Sequence, residues 1–89
     1  MNIEFTETFE KKTAQLIKKN QQLRIVFKKQ FNLFAINPFY PSLRLHKLQG
    51  KRSEQYALWI TGDLSALGVK SKSKENTYVF FDIVTHDEY

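Results

Sequence analysis

The fold is decided by residues 56–84, YALWITGDLSALGVKSKSKENTYVFFDIV, which contain three apolar stretches separated by two polar connections. Gly62-Asp63 is a tight-hairpin signal between the first two stretches, and the lysine-rich segment 71–76 separates the second from the third. Strands joined by such short connections pair antiparallel. The sequence therefore predicts an antiparallel sheet with strands at 56–61, 64–70 and 78–84, the last of them apolar enough to lie in its interior.

The amino-terminal part predicts a short strand and two helices. Residues 3–6 alternate apolar and polar side chains, and Thr6 or Thr8 then offers a helix cap. Apolar residues recur at helical spacing up to Phe34, interrupted only near Asn20. A link this short between two helices predicts an antiparallel helical hairpin.

A loop rich in proline connects the helices to the sheet. Pro38 and Pro41 cannot continue a helix, alternation predicts a further strand at 43–48, and 49–52 read as a turn. The order β-α-α-β-β-β-β predicts an α+β fold in which the helical hairpin packs on one face of an antiparallel sheet. A chain of 89 residues is expected to form a single domain, residues 1–89.

Composition narrows the class of protein. The chain has no Cys, which excludes a disulfide scaffold, a Cys-ligated zinc site and a thiol nucleophile. No apolar run is long enough to cross a membrane and no signal peptide is evident, so we expect a cytoplasmic protein. The net charge of +5 favours an anionic partner such as a nucleic acid or an acidic protein.

Three side chains are candidates for acid–base chemistry: His46, Asp63 and His86, which include both histidines of the chain. Imidazole exchanges protons near neutral pH, and RNA cleavage by its own 2′-hydroxyl needs only a base, an acid and cations. Neither a metal nor another cofactor is expected. The alternative is that His46 is a surface strand residue and that His86 belongs to a frayed tail.

Basic residues near His46 are candidates for binding RNA phosphates rather than for proton transfer, because an unperturbed lysine stays charged at pH 7. They are Arg44, Lys47, Lys51 and Arg52. The lysines of segment 71–76 either contact RNA or are simply solvated. Trp59 is expected in the core.

Two motifs at the ends of the second half carry a resemblance to a known family. NPFYPSLRLHKLQG at 37–50 and VFFDIVTHDEY at 79–89 resemble segments of the RelE/ParE-superfamily toxins of bacterial toxin–antitoxin modules. The resemblance implies a RelE-like fold and an mRNA endonuclease that acts in the ribosomal A site, in contact with mRNA and rRNA. It also implies a cognate antitoxin that neutralises the toxin in a hetero-oligomeric complex.

The chain resembles most the YafQ-like, histidine-using branch of that superfamily. That branch places a His before a Leu-x-Gly turn, an Asp seventeen residues later and a His after a Thr, which matches His46, Asp63 and His86. The resemblance assigns these three residues to catalysis and Tyr89 to stacking on a base. The YafQ-like branch has a further histidine at the position that Trp59 occupies in this sequence. The lysines and the arginine that RelE-type members use for catalysis are absent.

Two alternative functions remain open from the sequence. A ParE-like gyrase inhibitor acts by binding and needs no acid–base pair, which the two histidines disfavour. A catalytically weakened homologue that only binds its antitoxin is favoured by Trp59, Ser65 and a tail in which Tyr89 follows His86 by three residues.

Overall fold

The computed structural model describes residues 1–85, which form two helices and five strands. The strands are β1 (Asn2–Phe5), β2 (His46–Lys47), β3 (Gln55–Thr61), β4 (Leu64–Lys70) and β5 (Thr77–Thr85). The helices are α1 (Glu7–Lys19) and α2 (Gln22–Ile36), and short 3-10 turns cover Pro41–Leu43 and Gly50–Arg52. His86 and Tyr89 lie outside the described residues.

The sheet has the strand order β1-β5-β4-β3-β2 and is mixed. The β2–β3, β3–β4 and β4–β5 pairs are antiparallel, whereas β1 runs parallel to β5, with Asn2 opposite Thr77. The predicted α+β fold and the interior position of the last strand are therefore confirmed. The prediction of a wholly antiparallel sheet is wrong for β1, because alternation along a strand does not reveal which distant strand it will pair with.

Local signals explain where the helices begin and end. The Thr6 hydroxyl accepts a hydrogen bond from the Phe9 N–H at 3.1 Å, so the predicted cap of α1 is present. Lysines fill the last turn of α1, where they complement the helix dipole. Helix α2 ends at Ile36, just before Pro38. Neither helix has the length and apolar character needed to cross a bilayer.

The main core lies between the helices and one face of the sheet. Its largest fully buried side chains are Phe34, Phe80, Leu43, Leu58 and Ile60. Phe80 sits at the centre of an aromatic cluster, and its ring packs directly on the backbone of Gly68 in the neighbouring strand. A Cβ at Gly68 would lie 2.7 Å from Cδ1 of Phe80, so only glycine leaves room for this ring.

The strand predicted at 43–48 is much shorter than expected. Pro41–Leu43 form a 3-10 turn that buries Leu43, and Arg44 then adopts a left-handed conformation with φ 48° and ψ 39°. This kink interrupts the extended backbone, so only His46 and Lys47 pair with β3. The kink also turns Arg44 toward the sheet, as described below.

Candidate active site

Strand alternation divides the side chains of β3 between two faces of the sheet. Tyr56, Leu58 and Ile60 pack against the helices. Ala57 and Trp59 therefore project to the opposite face, because successive residues of a strand point to opposite sides. We call this opposite side the helix-free face. It carries a second, smaller apolar cluster that consists of Leu48, Ala57, Leu67, Val84 and Phe81.

His46 lies on the helix-free face at the edge of the sheet. It pairs with Ala57, so the two side chains share a face, and His46 is exposed. The imidazole Nδ1 lies 2.9 Å from the backbone carbonyl oxygen of Arg44. A carbonyl oxygen only accepts hydrogen bonds, so Nδ1 carries the proton and Nε2 is the unprotonated nitrogen of the neutral ring.

Arg44, Trp59 and Gly62 form a connected chain across this face. The Arg44 guanidinium carbon lies 4.8 Å from the centroid of the Trp59 ring, a cation–π contact. Trp59 Nε1 donates a hydrogen bond to the Gly62 carbonyl at 2.9 Å. Trp59 is half-buried here, so the prediction that it lies in the core is wrong. It instead forms part of the surface beside His46.

A buried amide supports Trp59 from behind. Gln30 of α2 is 3% exposed, and its Nε2 donates a hydrogen bond to the Trp59 carbonyl at 2.8 Å. The β3–β4 register shifts between Trp59 and Thr61, which interrupts the regular ladder at this point. The Gln30 amide therefore supplies a partner to a carbonyl in an irregular part of the strand.

Asp63 lies at a distance from His46. It is exposed in the β3–β4 turn, whereas His46 pairs with Ala57, four residues before Thr61 at the end of β3. Four residues of strand span about 13 Å. The structure therefore does not bring the two side chains into hydrogen-bond contact. Thr85, at the end of β5, pairs with Leu64 and so lies at the same end of the sheet as Asp63.

The predicted phosphate-binding residues do not form a single cluster. Arg44 lies on the helix-free face, but Lys47 pairs with Tyr56 and its Nζ lies 5.8 Å from that ring, on the helix-covered face. Lys51 and Arg52 are exposed in the 3-10 turn between β2 and β3, at the end of the sheet away from Asp63. Of these four residues, only Arg44 has a described contact on the face that carries His46.

Two residues that the sequence marked only as departures from the family pattern lie beside the candidates in the structure. Trp59 and Ser65 pair across β3 and β4, and Ser65 is a buried polar residue, 3% exposed. Alternation from the core residue Tyr56 would have placed Trp59 on the helix-free face. The catalytic roles given to His86 and Tyr89 stay predictions, since both residues lie outside the described part of the chain.

Comparison with solved structures shows the same fold in bacterial toxins. YafQ from Escherichia coli aligns with a TM-score of 0.73 at 18% identity, covering 98% of this chain and 94% of that chain. A metal-bound toxin from Helicobacter pylori aligns with a TM-score of 0.72 at 26% identity, covering 99% and 97%. The YoeB–YefM complex from Staphylococcus aureus aligns with a TM-score of 0.74 at 13% identity, covering 97% of each chain.

No protein-family model matches the sequence, and no curated protein sequence matches it. The structural matches nevertheless span nearly the whole chain. The chain therefore has the RelE/ParE-superfamily toxin fold. YafQ and YoeB are among its structural neighbours, which confirms the fold that the family resemblance of the two sequence motifs implied.

Proposed function

We propose that the protein is the toxin of a type II toxin–antitoxin module and cleaves mRNA on the ribosome by metal-free acid–base chemistry. The observation that carries this proposal is the contact between His46 Nδ1 and the Arg44 carbonyl at 2.9 Å. The contact orients an exposed imidazole and makes Nε2 the nitrogen that would take up a proton. The fold and the two sequence motifs support the same activity.

In this proposal His46 is the base. Nε2 of His46 takes the proton of the RNA 2′-hydroxyl, and the 2′-oxygen attacks the adjacent phosphorus. The bond from phosphorus to the 5′-oxygen breaks, and His86 donates a proton to that oxygen. The products are a 2′,3′-cyclic phosphate and a free 5′-hydroxyl, so atoms and protons balance without an added reactant.

Arg44 is the cation best placed to stabilise the phosphorane. Its guanidinium stacks on Trp59, which leaves the donors at the edge of its plane free to grip phosphate oxygens. Lys51 and Arg52 are proposed to bind RNA phosphates that lie farther along the RNA from the reacting phosphate. Tyr89 is proposed to stack on a base, and Asp63 to orient a protonated group at its own end of the site.

The partners proposed for this chain are a cognate antitoxin, the mRNA in the ribosomal A site and rRNA. The structural match to a toxin–antitoxin complex supports the antitoxin. A net charge of +5 suits both an acidic antitoxin segment and RNA. The proposed setting is the cytoplasm, where these partners are found.

The test is primer extension on cellular mRNA during induction of the parent, of His46→Gln and of Lys29→Gln. Lys29 is exposed on α2, so its variant is a control away from the site. We expect codon-phased cuts by the parent and the control, and a loss of roughly 10²–10⁴-fold for His46→Gln. Cleavage by His46→Gln at the parent rate would refute the assignment of the base.

The chemistry of the proposed RNA cleavage can be tested separately. Cut ends should carry a 2′,3′-cyclic phosphate. Cleavage should persist in a chelator, tested either on a ribosome-free model substrate or with ribosomes re-supplied with the Mg²⁺ that they need. Activity that is lost in the chelator and restored only by Zn²⁺ or Mn²⁺ would overturn the metal-free mechanism. Intact mRNA together with DNA damage would instead identify a gyrase inhibitor.

A second candidate function is antitoxin binding without catalysis. It is favoured by Trp59, which stands where the YafQ-like branch is expected to have a further histidine and which is engaged by both Arg44 and Gly62. If the parent neither cuts mRNA nor damages DNA but still binds its antitoxin, this candidate is correct.

A further inference from the structure

Lys47 belongs to a surface that the proposed catalytic mechanism does not use. Although it follows His46 directly, it pairs with Tyr56 and therefore projects to the helix-covered face. Lys70, at the end of β4, pairs with Tyr78 and reaches the same place. The Nζ atoms of Lys47 and Lys70 lie 5.8 Å and 5.6 Å from the centroid of the Tyr56 ring.

These residues line a groove of about 450 Å³ at the end of the sheet away from Asp63. We call it the lysine groove; it is lined by Lys47, Glu54, Tyr56, Val69, Lys70, Ser71 and Lys72. The Tyr56 ring packs edge-on against Tyr78, with ring centroids 5.6 Å apart, so its position is fixed by the core. The groove thus has a rigid aromatic floor with ammonium groups above it.

The lysine groove carries an excess of positive charge. None of its three lysines forms an ion pair within residues 1–85, whereas the nearby Lys74 is paired with Glu4 at 2.6 Å. Glu54 is the single acidic residue that lines the groove, which leaves a formal charge of +2. Ammonium groups held over an aromatic ring and lacking a carboxylate partner are available to an anion.

We propose that the lysine groove binds the phosphate backbone of single-stranded RNA where the RNA passes the sheet edge formed by β2. This inference rests on the proposed function, because it takes RNA as the substrate. The two residues of β2 then face the same RNA on opposite sides of the sheet edge. His46 meets the reacting phosphate, and Lys47 and Lys70 hold phosphates farther along.

The test measures binding of a short 2′-O-methyl oligoribonucleotide by fluorescence anisotropy over a range of salt concentrations. This RNA lacks the attacking hydroxyl, so its binding does not depend on cleavage. Lys47→Gln/Lys70→Gln is compared with Lys19→Gln/Lys29→Gln, which removes the same charge from exposed positions on the helices. Glu54→Gln is the variant expected to act in the opposite direction.

Each lysine–phosphate contact with a single strand contributes about 0.7 to the slope of log affinity against log salt. Lys47→Gln/Lys70→Gln should therefore lower the slope by about 1.4. With equal binding of the two proteins at 1 M salt, this corresponds to a roughly 25-fold loss of affinity at 0.1 M salt. The control pair should retain most of the parent slope, and Glu54→Gln should bind more tightly.

Equal slopes for the groove variant and the control pair would overturn the proposal, since net charge alone would then explain binding. Unchanged RNA binding together with lost binding of a polyglutamate peptide would assign the groove to an acidic protein and also overturn it. Failure of the proposed catalytic function would appear separately, as mRNA cleavage that His46→Gln does not reduce.

Discussion

The two faces of the sheet differ in what their side chains do. The helix-covered face buries an aromatic cluster around Phe80 and Phe34, both fully inaccessible to solvent. The helix-free face has a small cluster around Leu67, next to the polar chain from His46 through Arg44 to Trp59. One face therefore buries most of the apolar side chains, and the other carries the polar ones.

Phe80 and its neighbour Phe81 test this division most directly, because they lie on opposite faces. Phe80→Ala should lower the free energy of unfolding by about 3–5 kcal/mol, since it leaves a cavity among five aromatic rings. Denaturant unfolding measures this. Phe81→Ala should cost less, because Phe81 is half-buried, and equal costs would contradict this division between the two faces.

Gly68→Ala should be the next largest effect. The new methyl group would meet the Phe80 ring at 2.7 Å, and such overpacking costs about 1–3 kcal/mol. Thermal unfolding of Gly68→Ala, of Phe80→Leu and of the double variant gives the coupling between the two sites. If Gly68→Ala costs as much with Leu at 80 as with Phe, the clash with the ring is not the cause.

Arg44→Met should have a smaller effect on stability. Loss of an exposed cation–π contact costs about 0.5–1 kcal/mol. Trp59 is the single tryptophan of the chain, so its fluorescence should change as the guanidinium is removed. The matched control is Arg24→Met, which changes an exposed arginine on α2. An unchanged emission spectrum for Arg44→Met would argue against the stack.

Replacing Tyr78 should have the smallest effect on the free energy of unfolding, and that effect should appear only at alkaline pH. Burial raises the pKa of the Tyr78 phenol above its ordinary value of 10.0, and the nearby Lys70 opposes part of that rise. The unfolded phenol therefore ionises first, so stability that is present below pH 10.0 is lost as the pH rises through the higher folded pKa.

The measurement for Tyr78 is the free energy of unfolding of the parent and of Tyr78→Phe from neutral pH to above pH 10. The parent should lose stability more steeply than the variant, because phenylalanine has no proton to lose. Parallel curves for the two proteins would show that the Tyr78 hydroxyl does not titrate differently on folding.

The sequence predicts β3 and β4 well, because two apolar stretches separated by the Gly62-Asp63 turn allow few other structures. It predicts β2 poorly, because the left-handed turn at Arg44 depends on the burial of Leu43, a tertiary contact. Of the residues of the candidate site, the sequence predicts His46 and Arg44. It does not show that Lys47 shares a face with Tyr56, because that depends on the register between β2 and β3. Alternation from Tyr56 could have placed Trp59 outside the helix-covered core.

The parallel pairing of β1 with β5 has a consequence for the order of folding. Asn2 lies opposite Thr77, and Phe5 lies opposite Phe80, so each contact closes a loop of 75 residues. Such distant contacts form late because of their entropic cost. During synthesis, α1, α2 and the β3–β4 hairpin therefore have local partners early. In contrast, β1 has no strand beside it until the ribosome has released residues 77–80.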